Sequence, residues 1–271
     1  MEGRNRTRRY LSGEETDRPP FLPLATELTA RLAQVEPREL FSDPHLLTQS
    51  FIQAAAVCRF ECVLLRPPAD AVVDAVRSPD PLGHETLAVV REAVMRLRAL
   101  LRDRAAIGLL LPGPWWIGRS LEREPTPAAL EGTTGSLLQI AQSLDPPSLD
   151  LLGILEADTL AAQPLDAVVS SLSAFWNSAR YYSVPSLFLA SDAGPATGGD
   201  GATSAARWRG ANAEELLATG TARAGVPVDI GASPPMPALP RGGFWLSQGE
   251  IPEDTEVRRM QEIAAAVEDG S

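Results

Sequence analysis

Ala106-Ile107-Gly108-Leu109-Leu110-Leu111-Pro112-Gly113-Pro114-Trp115-Trp116 reads as a buried strand running into a sharp turn. Six residues with no charge give a strand covered on both faces, and the Pro-Gly-Pro sequence ends it. The stretch just before it, Pro81 to Arg102, is the clearest helix in the chain. Leu87, Val90, Val94, Leu97 and Leu101 recur on one helical face. A helix leading directly to a buried strand is the unit of a parallel α/β sheet.

Working outward, the unit repeats. Upstream lie the strands Phe21 to Ala25 and Cys62 to Leu65, with helices at Glu27 to Gln34, from Asp43-Pro44 to about Arg59, and Ala69 to Val76. Asp43 suits a helix cap and Pro44 a first turn. Downstream come helix Leu130 to Leu144, strand Leu151 to Leu155, helix Leu165 to Arg180 and strand Ser186 to Ala190. A Gly/Ala/Thr-rich stretch follows to about Ser204. Then come helix Ala213 to Ala224, strand Val226 to Ile230, a proline-rich stretch at 231–241, strand Gly243 to Leu246 and helix Thr255 to Val267. Seven strands result. The alternation predicts an α/β fold with a parallel sheet; against the eight-unit TIM-type (β/α) barrel that a family resemblance implies, it is incomplete by about one β/α unit. A missing unit exposes a sheet edge, and a homodimer is one way to cover it. Residues 1–16 read as a flexible arm, and 17–271 as one barrel domain.

Composition bounds the function. The chain has 271 residues, the length of one α/β barrel, and 44% of them are apolar, enough to bury a core. Its net charge of −11 argues against nucleic acid as a partner. No lysine occurs, so Schiff-base chemistry, pyridoxal phosphate attachment and a P-loop lysine are excluded. Cys58 and Cys62 read as buried thiols, which fits a reducing cytoplasm. No apolar stretch reaches the length of a membrane span, and the Arg-rich start lacks the apolar core of a secretory signal.

In a barrel the working groups lie at the C-terminal ends of strands. That rule selects Thr26 and Glu27 after the first strand and Arg66 after the second. It selects Trp115, Trp116 and Arg119 after the third, and Glu156 and Asp158 after the fourth. Ser191 and Asp192 follow the fifth, Asp229 ends the sixth, and Gln248 and Glu250 follow the last. The same rule assigns Trp176, Asn177, Arg180, Tyr181 and Tyr182 to packing at the opposite end.

Asp17-Arg18-Pro19-Pro20-Phe21-Leu22-Pro23-Leu24, Phe41-Ser42-Asp43-Pro44-His45, Glu61-Cys62-Val63-Leu64-Leu65 and Gly242-Gly243-Phe244-Trp245-Leu246-Ser247-Gln248-Gly249-Glu250-Ile251-Pro252 together carry a family likeness. The chain resembles the uroporphyrinogen decarboxylase superfamily, which also holds corrinoid-dependent methyltransferases and is built on a TIM barrel. The resemblance implies an aspartate after the second strand; Arg66-Pro67-Pro68 stands there instead, with Asp70 further along. It implies arginines after the first strand, where Pro23-Leu24-Ala25-Thr26 stands. In the methyltransferase branch it implies a zinc site from a His-x-Cys pair after the fifth strand and a cysteine near the last. Ser191-Asp192 and Ser247-Gln248-Gly249 occupy those places.

The expectation is therefore a divergent enzyme of decarboxylase (lyase) type acting on a small anionic or aromatic metabolite, with no cofactor and no metal. Asp192, Glu156 and Asp158 are the candidate acid-base groups. Arg66, Trp115, Trp116, Arg119, Ser191, Asp229 and Gln248 are the candidate ligand contacts, with tryptophan stacking on a flat ligand and arginine holding its carboxylate. Two alternatives stay open: a zinc-independent methyltransferase-like protein that binds a corrinoid or folate, and a non-catalytic barrel serving as a binding or partner module.

Overall fold

The computed structural model describes residues 2–121, 126–156, 165–192, 207–211, 225–228, 230 and 244–269. In chain order the elements are α1 (Gly3–Leu11), β1 (Phe21–Leu24), α2 (Thr26–Ala33), α3 (Pro44–Cys58), β2 (Cys62–Leu65), α4 (Ala69–Arg77), α5 (Glu85–Leu101), β3 (Ala106–Pro112) and α6 (Pro114–Ser120). There follow α7 (Pro127–Ser143), β4 (Leu151–Glu156), α8 (Leu165–Ser171), α9 (Ser173–Tyr181), β5 (Ser186–Asp192), β6 (Arg207–Ala211), β7 (Gly225–Val228), β8 (Phe244–Glu250) and α10 (Val257–Asp269).

The fold is mixed α/β. One sheet has the order β1-β8-β7 and the other β2-β3-β4-β5-β6. Every ladder is parallel except β5 with β6, which is antiparallel. β1 also lies against β2, and β6 against β7, so the sheets adjoin along both edges in a barrel-like arrangement. Among the described residues neither seam carries a hydrogen-bonded ladder.

Strand side chains sort with period two. Leu22, Leu24, Cys62, Leu64, Ala106, Leu110, Leu151, Leu155, Leu187 and Leu189 form one buried cluster. Their alternates Val63, Leu65, Ile107, Leu109, Leu111, Leu152, Ile154 and Phe188 pack instead with the helices. The first cluster has room because Gly153 pairs with Leu110 in register, and a methyl group at Gly153 would strike the Leu110 side chain. Small residues opposite large ones let such a layer fill without overlap.

Three expectations need correction. Eight strands are described, not seven: β6 supplies a strand where one unit was expected to be lost. Its antiparallel direction departs from the all-parallel barrel. The expected helix at 213–224 lies outside the described residues. The single helix expected from Leu165 to Arg180 is two, separated at Leu172, which is fully buried.

The third correction concerns residues 1–16, read as a flexible arm. They hold α1, whose Tyr10 and Leu11 complete the interior cluster. Arg6 is almost fully buried and forks onto Asp17 (Nε to Oδ1 2.8 Å, Nη2 to Oδ2 2.8 Å) while also pairing with Glu61. That hydrogen-bonded pair holds the Asp17 carboxyl well below the usual carboxylate range. Arg18 joins Glu61 at 2.8 Å, and Arg4 reaches Asp150 at 2.9 Å. The helix is fastened by charge rather than by an apolar stripe.

Cys58 and Cys62 are free and buried. Burial pushes the Cys58 thiol up to about 11 and Cys62 higher still, so neither is poised as a thiolate. Trp176 packs edge-on against Phe175 with ring centroids 5.0 Å apart, as a core residue, whereas Tyr181 is exposed. No helix among the described residues is long and apolar enough to cross a membrane.

Candidate functional site

The C-terminal tips of β1, β2, β3 and β4 meet at a cleft of about 270 Å³. Thr26, Glu27, Arg38 and Arg66 supply its polar lining; Phe41, Trp116, Pro67, Pro68, Pro112 and Leu155 supply apolar walls. Its floor is the top of the interior cluster, since Leu155 belongs to both.

β8 sets the charges of this cleft through an irregular register. Leu22 pairs with Leu246, but Leu24 pairs with Glu250, so β8 carries extra residues between the two pairs. The fully buried Ser247 hydroxyl accepts the Leu24 N–H at 2.8 Å, filling the gap in the ladder, and Ile251 N–H then donates to Leu24 O at 2.7 Å. A bulge of this kind re-aims the residue that follows it. Here it brings Glu250 over the tip of β1. One oxygen, Oε1, accepts the backbone N–H of Glu27 at 3.0 Å at the start of α2. The other, Oε2, lies 2.9 Å from Arg66 Nη2.

The Arg66–Glu250 contact is an ion pair without an aligned hydrogen bond: Glu250 Oε2 is buried and, among the described residues, has no donor aimed at it. Arg66 is thus oriented by charge, with its N–H groups not saturated. Glu27 makes no ion pair among the described residues. It is exposed by area, yet the cleft wall partly desolvates its carboxyl. That desolvation, with repulsion from Glu250 and Glu253, raises its pKa above the ordinary value, while Arg66 acts in the opposite sense. Arg38 sits at the rim and is tied to Asp70 at 2.7 Å.

Trp116 is held in place by Glu156. Gly113 N–H donates to Leu155 O at 2.8 Å and turns the chain directly into α6. The Glu156 carboxylate accepts Trp115 N–H (Oε1, 3.0 Å) and Trp116 N–H (Oε2, 3.1 Å), which have no partner within the first turn of a helix. A methyl group at Gly113 would fall on that carboxyl, so glycine is what admits it. Glu156 is fully buried.

The expected site residues fall out as follows. Arg66 and Trp116 line the cleft. Trp115 is half-buried beside it, packs on the outer core, and has a buried indole N–H without a described partner. Arg119 is exposed on α6, away from the cleft. Glu156 lies behind the cleft wall, engaged by backbone. Ser191 and Asp192 are backbone positions within β5, opposite Trp208 and Arg207 of β6, rather than beyond the strand. Gln248 is a backbone position within β8. Asp158 and Asp229 lie outside the described residues. Glu27 and Glu250 were visible as strand-tip residues but not chosen; Phe41 was not seen as a site residue at all. The missing signal was that β1 pairs with β8, which sets the two glutamates side by side.

No group of three or more His, Cys, Asp or Glu side chains among the described residues is placed to hold a metal ion. The donor set for a zinc-bound thiol does not fit this chain: its two cysteines are core residues with raised pKa, remote in sequence from the tips of β5 and β8.

No family model matches the chain, and no curated protein matches it. Among solved structures, it is similar to a methyltransferase from Methanosarcina mazei at 15% sequence identity, with a TM-score of 0.71 over 100% of this chain and 99% of that one. At this identity the likeness is one of fold.

Proposed function

We propose that this is a methyltransferase-like protein that operates without zinc and binds a small molecule in the cleft at the tips of β1 to β4. One observation carries the reading: Glu250 orders Arg66 and the start of α2 together, beside an aromatic wall, in a cleft at the strand tips with space for a ligand. Arg66 anchors an anionic group, Trp116 and Phe41 exclude water, and Glu27 holds a cation or moves a proton. The decarboxylase reading has no such support: a bound tetrapyrrole would need a much larger hollow. A corrin ring or a whole folate likewise does not fit within about 270 Å³, so a donor of that kind would have to present its methyl group from outside the mouth.

The reading is tested by a thermal-shift screen of small methylated metabolites against EDTA-treated protein, followed by transfer of a labelled methyl group from methylcobalamin or 5-methyltetrahydrofolate. Ligands that raise the melting temperature of the wild type and not of Arg66→Ala, and that gain the label from the donor, are the expected result. Hits indifferent to Arg66→Ala contradict the site. Binding with no transfer from either donor places the chain with non-catalytic binding modules.

A further inference from the structure

We propose that the cleft selects a small zwitterion, an alkylated ammonium carboxylate of amino-acid size, with its carboxylate on Arg66 and its ammonium between Glu27 and the Trp116 face. The proposal rests on the reading above that this cleft is the ligand site, and it adds the chemical class.

The charges leave two unmet demands of opposite sign. Arg66 has its charge balanced by Glu250 at 2.9 Å but makes no aligned hydrogen bond among the described residues, and its side chain is 36% exposed. A planar guanidinium offers five donors, so a carboxylate can take two of them without displacing Glu250. Glu27 lines the same cleft with no cation paired to it among the described residues, where Arg66 is engaged by Glu250 and Arg38 by Asp70. Glu250 and Glu253 both repel its charge. A simple anion would satisfy Arg66 but add a further negative charge to a group already facing two. A simple cation would relieve Glu27 but sit beside Arg66 with nothing for its donors. A ligand carrying both charges meets both demands.

The walls fix the rest. Trp116 and Phe41 present aromatic surface, which attracts an alkylated ammonium both as a cation and as methyl groups. Pro67, Pro68, Pro112 and Leu155 add apolar area. A volume of about 270 Å³ accommodates an amino-acid-sized molecule.

Three nearly isosteric probes separate the possibilities by titration calorimetry on the full chain: N,N-dimethylglycine (zwitterion), 3-methylbutanoate (anion only) and 2-(dimethylamino)ethanol (cation only). Dimethylglycine is expected to bind about tenfold or more tightly than either, the value of one charge-assisted contact. Glu27→Gln should abolish its advantage over 3-methylbutanoate and spare its advantage over the amino alcohol; Arg66→Gln should do the reverse. Thermal melts of both variants check that they fold. Equal binding of the three probes, or preferences that survive both substitutions, overturns the proposal. If 3-methylbutanoate alone binds and depends on Arg66, the zwitterion class falls while the cleft stands as the site. If no probe binds at millimolar concentration, the class is again overturned, and ligands found for the cleft by the metabolite screen would then be of another kind.

Discussion

Replacing Asp150 by alanine should lower the stability of the chain by about 3–5 kcal/mol, the cost of stripping one partner from a buried ion pair. Asp150 has no exposed surface. Its carboxylate accepts Arg4 Nε at 2.9 Å and Ile107 N–H at 3.0 Å, and pairs with Arg98. One side chain therefore ties α1, α5 and the start of β3 to the start of β4. Alanine leaves the Ile107 N–H without its acceptor and the Arg98 guanidinium without its carboxylate, while Arg4 keeps only the exposed Asp103 at 3.3 Å. Both arginine heads keep some solvent contact, which sets the loss toward the lower end of the range. Asp150→Asn keeps an acceptor for Ile107 and should cost less. Urea denaturation measures the difference. A loss below about 1 kcal/mol would mean that the network is solvated and that α1 is held by something else.

The second large effect belongs to Glu156→Ala, at about 2–4 kcal/mol, because two part-buried backbone N–H groups lose their acceptor. The Trp115 and Trp116 amides at the start of α6 both depend on that carboxylate. Glu156→Gln restores one acceptor only and should fall between the two. Gly113→Ala should resemble Glu156→Ala, since its methyl group occupies the space of the carboxyl. Equal stability of wild type and Glu156→Ala in denaturant melts would show that α6 does not need this cap. Trp116 would then owe its position to packing alone.

The strands were largely legible because buried strands are short, uncharged and bounded by turn residues. β2 was read at its observed limits, and β3, β4 and β5 within two residues. α1 was not legible. Its sequence, Gly3-Arg4-Asn5-Arg6-Thr7-Arg8-Arg9-Tyr10-Leu11, has no apolar stripe, and what buries it is pairing with Asp17, Glu61 and Asp150, partners that only the folded chain brings together. β6 was missed for a related reason: Arg207-Trp208-Arg209-Gly210-Ala211 carries none of the apolar continuity of the inner strands and is recognised only by pairing with β5. Arg66 and Trp116, which the strand-tip rule selects, both line the cleft. The rule could not rank Glu27 and Glu250, because their adjacency depends on β8 lying beside β1 and on the bulge around Ser247. It offered Glu156 as an acid-base group because the position is right; the fold turns that carboxylate onto the backbone of α6.

The central claim, that the cleft built by Glu250 around Arg66 and Glu27 is where this protein meets its ligand, is most directly tested by amide chemical-shift mapping on isotope-labelled protein titrated with dimethylglycine. The Glu27 amide, hydrogen-bonded to Glu250, should shift together with the amides of Arg66 and Trp116. Those of Arg258 and Glu262, in the separate open cleft beside α10, should stay still. Shifts confined to the α10 cleft, or spread evenly over the surface, would contradict the account.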